Sequence, residues 1–112
     1  MKNTEAVRAF LALGQPSRLN VFRLIVQKGE AGICPTDIRE LLGVPAATLS
    51  FHLKELLQAD LISVERQSRH LIYRPRADVV QSLMNFLLFN CCGGKSCTPD
   101  PLPNASSASF TS

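Results

Sequence analysis

The stretch "TDIRELLGVPAATLSFHLKELLQADLI", Thr36 to Ile62, decides the fold. Its first part, with "CP" ahead of it, predicts a short helix. Pro35 suits the first helical position, Asp37 sits at the positive N-terminal end, and Gly43 closes the helix. "VP" is a tight turn. "AATLSFHLKELLQA" then predicts a longer helix with Leu49, Leu53, Leu56 and Leu57 inward, which leaves Ala47, Thr48, Ser50, Phe51 and Lys54 to point outward. Short helix, tight turn and second helix make the unit that lays its second helix in the major groove of DNA.

Downstream lie two short alternating runs, "LISVER" and "HLIYR", separated by "QSR". They predict a β-hairpin, although no glycine marks its turn. Upstream, Thr4 to Leu13 predicts a first helix with Thr4 as N-cap and Val7, Phe10 and Leu11 on one face. "QPSRLNVFRLIVQKG" predicts a second, with Pro16 in its first turn, Leu19, Phe22, Ile25 and Val26 facing the core, and Gly29 at its end. The fold class is therefore mainly α with a small β-hairpin, a winged helix-turn-helix.

A last helix runs from Ala77 to about Asn90. From Val79 onward it is apolar on nearly every side: Val79, Val80, Leu83, Met84, Phe86, Leu87, Leu88 and Phe89. A surface helix shows a stripe, not a girdle. One small domain cannot cover such a helix, so a subunit interface is expected. Three segments result: a folded unit over 1–90, a thiol-bearing segment over 91–97, and a tail over 98–112 whose Pro, Ser and Ala content predicts disorder.

The 112 residues suffice for one domain, and the hydrophobic content of 46% against 19% charged is globular. A net charge of +3 permits nucleic-acid binding without showing it. No signal peptide and no membrane-spanning run is expected, so the chain reads as cytoplasmic. In that compartment thiols stay reduced, and clustered cysteines more often bind metals or sense redox state than form disulfides.

DNA contact is expected along the outer side of the fourth helix and at the hairpin tip. Small residues there let the backbone approach base edges, and Thr and Ser hydroxyls bond to bases or phosphates. Arg66, Arg69 and His70 near the tip can meet phosphates or enter the minor groove. Each residue alone would pass for ordinary solvated surface. The ordered combination of helix, turn, helix and basic hairpin carries the reading. His52 is open between a phosphate contact and a buried, hydrogen-bonded ring at the seam between helices.

"QPSRLNVFRLI", the Thr36–Ile62 stretch and "VERQSRHLIYR" resemble the ArsR/SmtB metal- and metalloid-responsive repressors. The resemblance covers Thr4 to Phe89. Its most specific parts are "S-x-H-L" at Ser50 to Leu53 and "PSRL" at Pro16. It implies a homodimer formed by the first and last helices, and binding to double-stranded operator DNA. By position it implies DNA contacts from Ala46, Ala47, Thr48, Ser50, His52, Lys54, Arg66 and Arg69. Two residues depart from the pattern. Phe51 stands where the family often has Arg, and Ser68 stands where the wing turn usually has Gly.

The family's usual sensing sites are both incomplete. A "C-x-C" box would open the third helix, but here Cys34 is followed by Thr36 at the second position. The last helix has no His, and Asp78 alone binds a metal poorly. What is left is "CCGGKSC". Cys91, Cys92 and Cys97 supply three thiols within a short reach, and the Gly93-Gly94 pair between them breaks the helix so that Cys97 can return toward the other two. Three thiolates suit a soft ion or metalloid, and trivalent arsenic or antimony bonds three sulfurs as a pyramid. Structural zinc would want a fourth ligand. Arsenite As(III) or antimonite Sb(III) is the expected inducer, as in family members with a comparable C-terminal cysteine cluster. A disulfide between Cys91 and Cys92 is disfavoured, because neighbouring Cα atoms lie about 3.8 Å apart and disulfides prefer about 4.4–6.8 Å. Catalysis is disfavoured too, since a helix C-terminus destabilises a thiolate, and no enzyme activity is expected. Two alternatives stay open: a thiol-based redox repressor, and a zinc-stabilised winged-helix module that binds protein. Cys34 reads as a small buried residue rather than a ligand.

Overall fold

A computed structural model describes residues 1–89. Asn90, the thiol segment 91–97 and the tail 98–112 lie outside the described residues. The elements run α1 (Asn3–Leu13), α2 (Pro16–Lys28), a 3-10 turn (Gly29–Ala31), α3 (Pro35–Leu42), α4 (Ala46–Gln58), β1 (Ile62–Gln67), β2 (His70–Pro75) and α5 (Ala77–Leu88). This is the winged helix-turn-helix expected.

The α3–α4 unit forms for the reasons legible in its residues. Pro35 opens α3, and Gly43 ends it in the left-handed region at φ 66° with its N–H donating to the Arg39 carbonyl at 2.8 Å. Leu49, Leu53 and Leu56 of α4 are buried, and Leu57 is half-buried. They meet Ile38 of α3 and Val21, Phe22 and Ile25 of α2 in one core. Leu61, Ile62 and Tyr73 extend that core into the base of the hairpin.

β1 and β2 pair antiparallel from Ile62 opposite Pro75 to Gln67 opposite His70. Only Ser68 and Arg69 remain in the turn, and Ser68 takes φ +59°, a conformation glycine adopts without cost. Ile33 adds a short third rung, exchanging backbone hydrogen bonds with Tyr73 at 3.0 and 2.9 Å. Gly32 beside it has φ +76°, and a Cβ there would stand 2.3 Å from the Ile72 side chain. The close approach of this loop to β2 therefore requires glycine.

The first two helices correct the expected faces. α1 begins at Asn3, with Lys2 at the cap, where its N–H donates to the Glu5 carboxylate at 2.8 Å. Its buried residues are Ala6, Ala9 and Ala12, while Val7, Phe10 and Leu11 are exposed. Small side chains let α1 lie close against α2 and α4, and the larger ones are turned out. On α2, Leu19 and Val26 are exposed and Val21 takes the inward place. On α5 only Leu83 is buried, with Val79, Val80 and Phe86 packed partly against the core. Met84, Leu87, Leu88 and Phe89 stand in the open.

Candidate nucleic-acid interface

At 3.6 residues per turn, Ala47, Phe51 and Lys54 fall in one row along α4, with Ser50 on one flank and Thr48 on the other. All five are exposed, as is Ala46 in the first turn. No charged side chain stands on α4 before Lys54, so the start of the helix presents only small groups. A groove of about 590 Å³ runs beside this face between α3, α4 and β2. Thr36, Arg39, Ala46, Ser50, Lys54 and Leu71 are among its walls. Arg39 thus joins Lys54 in a cationic pairing that sequence reading missed, because the two lie on different helices.

Among the α4 residues expected to contact DNA, His52 is the one that is buried rather than exposed. The helical period places it beside Leu49 and Leu56, and its side chain is buried, at 4% exposure. Neither ring nitrogen has a hydrogen-bond partner among the described residues. Burial, and then the nearby Arg18 guanidinium, push its pKa below the usual histidine range. The ring is therefore held neutral at the seam, apart from the exposed row, and lacks the hydrogen bond expected of a buried histidine.

Arg18 comes from the first turn of α2, where the Gln15 side chain accepts the Arg18 N–H at 2.7 Å. Its Nη1 donates to the Ala12 carbonyl at 3.2 Å. Its guanidinium carbon stands 5.5 Å from the centre of the Phe51 ring. Nothing in the local sequence links residues 18 and 51. Only the packing of α2 on α4 does.

The wing is braced at its base and free at its tip. Arg74 reaches the Glu65 carboxylate across the strands at 2.6 Å and the Glu30 carbonyl at 2.8 Å. That ion pair, with a hydrogen bond from Gln67, holds the exposed Glu65 carboxyl below its usual range. Arg66 and Arg69 are exposed and form no ion pair among the described residues. Their charges remain available to phosphates.

Cys34 sits half-buried at the N-cap of α3, its thiol donating to the Asp37 carboxylate at 3.3 Å. Burial and this carboxylate raise its pKa, so the site favours a thiol over a metal-binding thiolate. Among the described residues no three His, Cys, Asp or Glu side chains gather to hold a metal ion. No described helix is long and apolar enough to cross a membrane. Cys91, Cys92 and Cys97 lie outside the described residues.

A helix-turn-helix domain family matches residues 13–65. The arsenical resistance operon repressor of Bacillus subtilis (strain 168) is 34% identical over 83 residues, spanning 74% of this chain and 75% of that protein. The chain belongs to the ArsR family. It is a DNA-binding winged helix-turn-helix regulator of transcription. Two solved ArsR-type structures share the fold. An ArsR-like regulator from Rhodococcus sp. RHA1 superposes with a TM-score of 0.68 at 20% identity, covering 75% of this chain and 76% of its own. A homodimeric winged helix-turn-helix domain from Mycobacterium bovis, described as a possible ArsR-family regulator, gives 0.63 at 22% identity over 76% and 77% of the two chains. The exposed row on α4 and the exposed cations of the wing are thus parts of an ArsR-family fold.

Proposed function

We propose that this ArsR-family chain is a homodimeric repressor that binds operator DNA and is released when trivalent arsenic or antimony binds Cys91, Cys92 and Cys97. The observation that carries the reading is the gathering of three thiols within seven residues, directly after the helix whose outer face is apolar. The relative named for arsenical resistance supports the choice of ligand.

Val7, Phe10 and Leu11 of α1, with Met84, Leu87 and Leu88 of α5, supply the subunit interface. A two-fold axis through these faces presents two copies of α4 to successive major grooves. Ala46, Ala47, Thr48 and Ser50 let α4 approach base edges, and Lys54, Arg66 and Arg69 meet phosphates. His52 acts from behind, as part of the packing that sets the angle of α4. Each As–S bond forms as a thiol proton and an arsenic hydroxyl leave together as water, so arsenite joins three thiols with loss of three waters and no change of oxidation state. Binding DNA and binding arsenite favour different arrangements of the dimer, which is what release requires.

The test uses the full chain and a duplex selected by it from a randomised library, with fluorescence anisotropy read in excess phosphine reductant. Arsenite should release the wild-type protein and leave Cys34→Ser unaffected. Cys97→Ser should lose most of its arsenite response but still release with phenylarsenoxide, which forms only two As–S bonds. Full arsenite response in Cys97→Ser overturns the three-sulfur site. Release by oxidant alone, with none by arsenite, points to the redox-sensing alternative.

A further inference from the structure

We infer that Phe51 is a specificity-determining residue, reading the 5-methyl group of a thymine in the major groove, and that Arg18 is the residue that positions it. The inference rests on the DNA-reading role of α4 proposed above.

The argument begins with place. Phe51 lies between Ala47 and Lys54 in the middle of the exposed row of α4, and 52% of it is open to solvent. A large apolar ring at the centre of a DNA-reading face has few partners. It cannot bond to phosphates, nor to the donors and acceptors of base edges. The apolar group that a base pair presents in the major groove is the thymine methyl, and phenylalanine is among the side chains that contact it. Long side chains on a helix lean over the preceding turn, and there Phe51 meets Ala47, which contributes a single methyl and takes up little of the groove.

The second observation is that the ring is held. An isolated exposed phenylalanine would sample several rotamers. Here the Arg18 guanidinium stacks 5.5 Å from the ring centre, and the tilted His52 ring lies 6.3 Å away. Arg18 is itself fixed, through Nη1 to the Ala12 carbonyl and through its N–H to the Gln15 cap. An aromatic contact pre-oriented in this way loses little rotamer freedom when DNA arrives. Two residues, Arg18 of α2 and His52 of α4, thus flank one exposed ring.

The test takes the library-selected duplex and replaces each thymine in turn with deoxyuridine, which lacks only the methyl. At one thymine per half-site, wild-type binding should fall about fourfold, the value of burying one methyl group. In Phe51→Ala the thymine-to-uracil ratio at that position should drop to one, and in Phe51→Leu it should be partly kept. The ratio is taken within one protein, so it is insensitive to any loss of folded material. Arg18→Met should lower the ratio without changing the salt dependence of binding, and a salt slope reduced by about two units, one per subunit, would instead make Arg18 a phosphate contact and overturn its positioning role. A ratio of one at every thymine in the wild type, or an unchanged ratio in Phe51→Ala, overturns the inference while leaving operator binding intact. Failure to enrich any duplex overturns the operator reading and this inference with it.

Discussion

Leu83 and Leu87 are one helical turn apart on α5, yet only Leu87 falls on the face proposed to join two subunits. Leu83 is 4% exposed and packs into the chain's own core, whereas Leu87 is 52% exposed. Burying a leucine fully stabilises by about 1.5–3 kcal/mol, so covering the remaining half of Leu87 is worth about 0.8–1.5 kcal/mol. A two-fold dimer counts it twice, giving about 1.5–3 kcal/mol for the apolar area alone. An aspartate there adds a buried, unpaired carboxylate, at several kcal/mol per ion. Leu87→Asp should therefore weaken dimerisation at least about a thousandfold, since each 1.4 kcal/mol is about tenfold. Leu83→Ala should act elsewhere, lowering the stability of the fold by about 2–5 kcal/mol through the cavity it leaves. Sedimentation velocity over a concentration series reads the first effect, and urea denaturation reads the second. A Leu87→Asp protein that sediments as a dimer at wild-type concentrations would refute the assignment of this face. So would a Leu83→Ala protein that dissociates with its stability intact.

Ser68→Gly should raise stability by about 0.5–1 kcal/mol, because Ser68 holds φ +59° in a two-residue turn; an unmoved urea midpoint would show that the turn carries no strain. Lys54→Ala and Arg69→Ala should each weaken binding to all duplexes and lower the salt slope of the dimer by about two units, one per subunit, and an unchanged slope in both would take them out of the interface. The lowered pKa of His52 means that the unfolded chain takes up this proton first as the pH drops. Its contribution to stability is therefore present above about pH 6.5 and is lost as the pH falls from there through the folded value. His52→Leu should be less sensitive than the wild type between about pH 7 and 5, and equal loss in the two proteins would place the acid sensitivity elsewhere.

The α3–turn–α4 unit was legible because every local signal agreed. Pro35, Gly43 and the leucine spacing all named the same boundaries and the same buried side. α1 was not, because it carries two candidate faces. Val7, Phe10 and Leu11 recur at helical spacing, and so do Ala6, Ala9 and Ala12. Hydrophobicity favours the first set, but close packing against α2 and α4 takes the alanines. Leu19 and Val26 misled in the same way. Periodicity shows which faces avoid water and cannot say whether the same chain or a second copy covers them. In the candidate site, Lys54, Arg66 and Arg69 are exposed on α4 and the wing. His52 left the row because its angular position outweighs its polarity. Arg18 was out of reach, since its partner Phe51 is near it only in the folded chain.

The position of the proposed thiol site constrains how it could act. In the sequence Cys91 comes three residues after Leu88, the last residue of the helix that exposes Met84, Leu87 and Leu88. The other end of α5 is tied to the DNA-reading part. Pro75 ends β2 directly ahead of α5, and the Arg76 N–H donates to the Leu61 carbonyl at 2.9 Å, just past α4. A shift of α5 imposed by the thiols would therefore bear on the subunit contact along its length and on the α4–β1 junction at its start. The size required is modest. A hundredfold loss of operator affinity needs about 2.7 kcal/mol of coupling, within the usual range of about 1–3 kcal/mol. The same linkage makes the coupling reciprocal. With one thiol site per subunit, the two arsenites together would favour the DNA-free dimer about a hundredfold, or about tenfold per site, whatever path joins the sites. Titrations of arsenite into the free protein and into the saturated complex measure that ratio directly. Equal affinities in the two would mean that the thiols bind metalloid without regulating DNA.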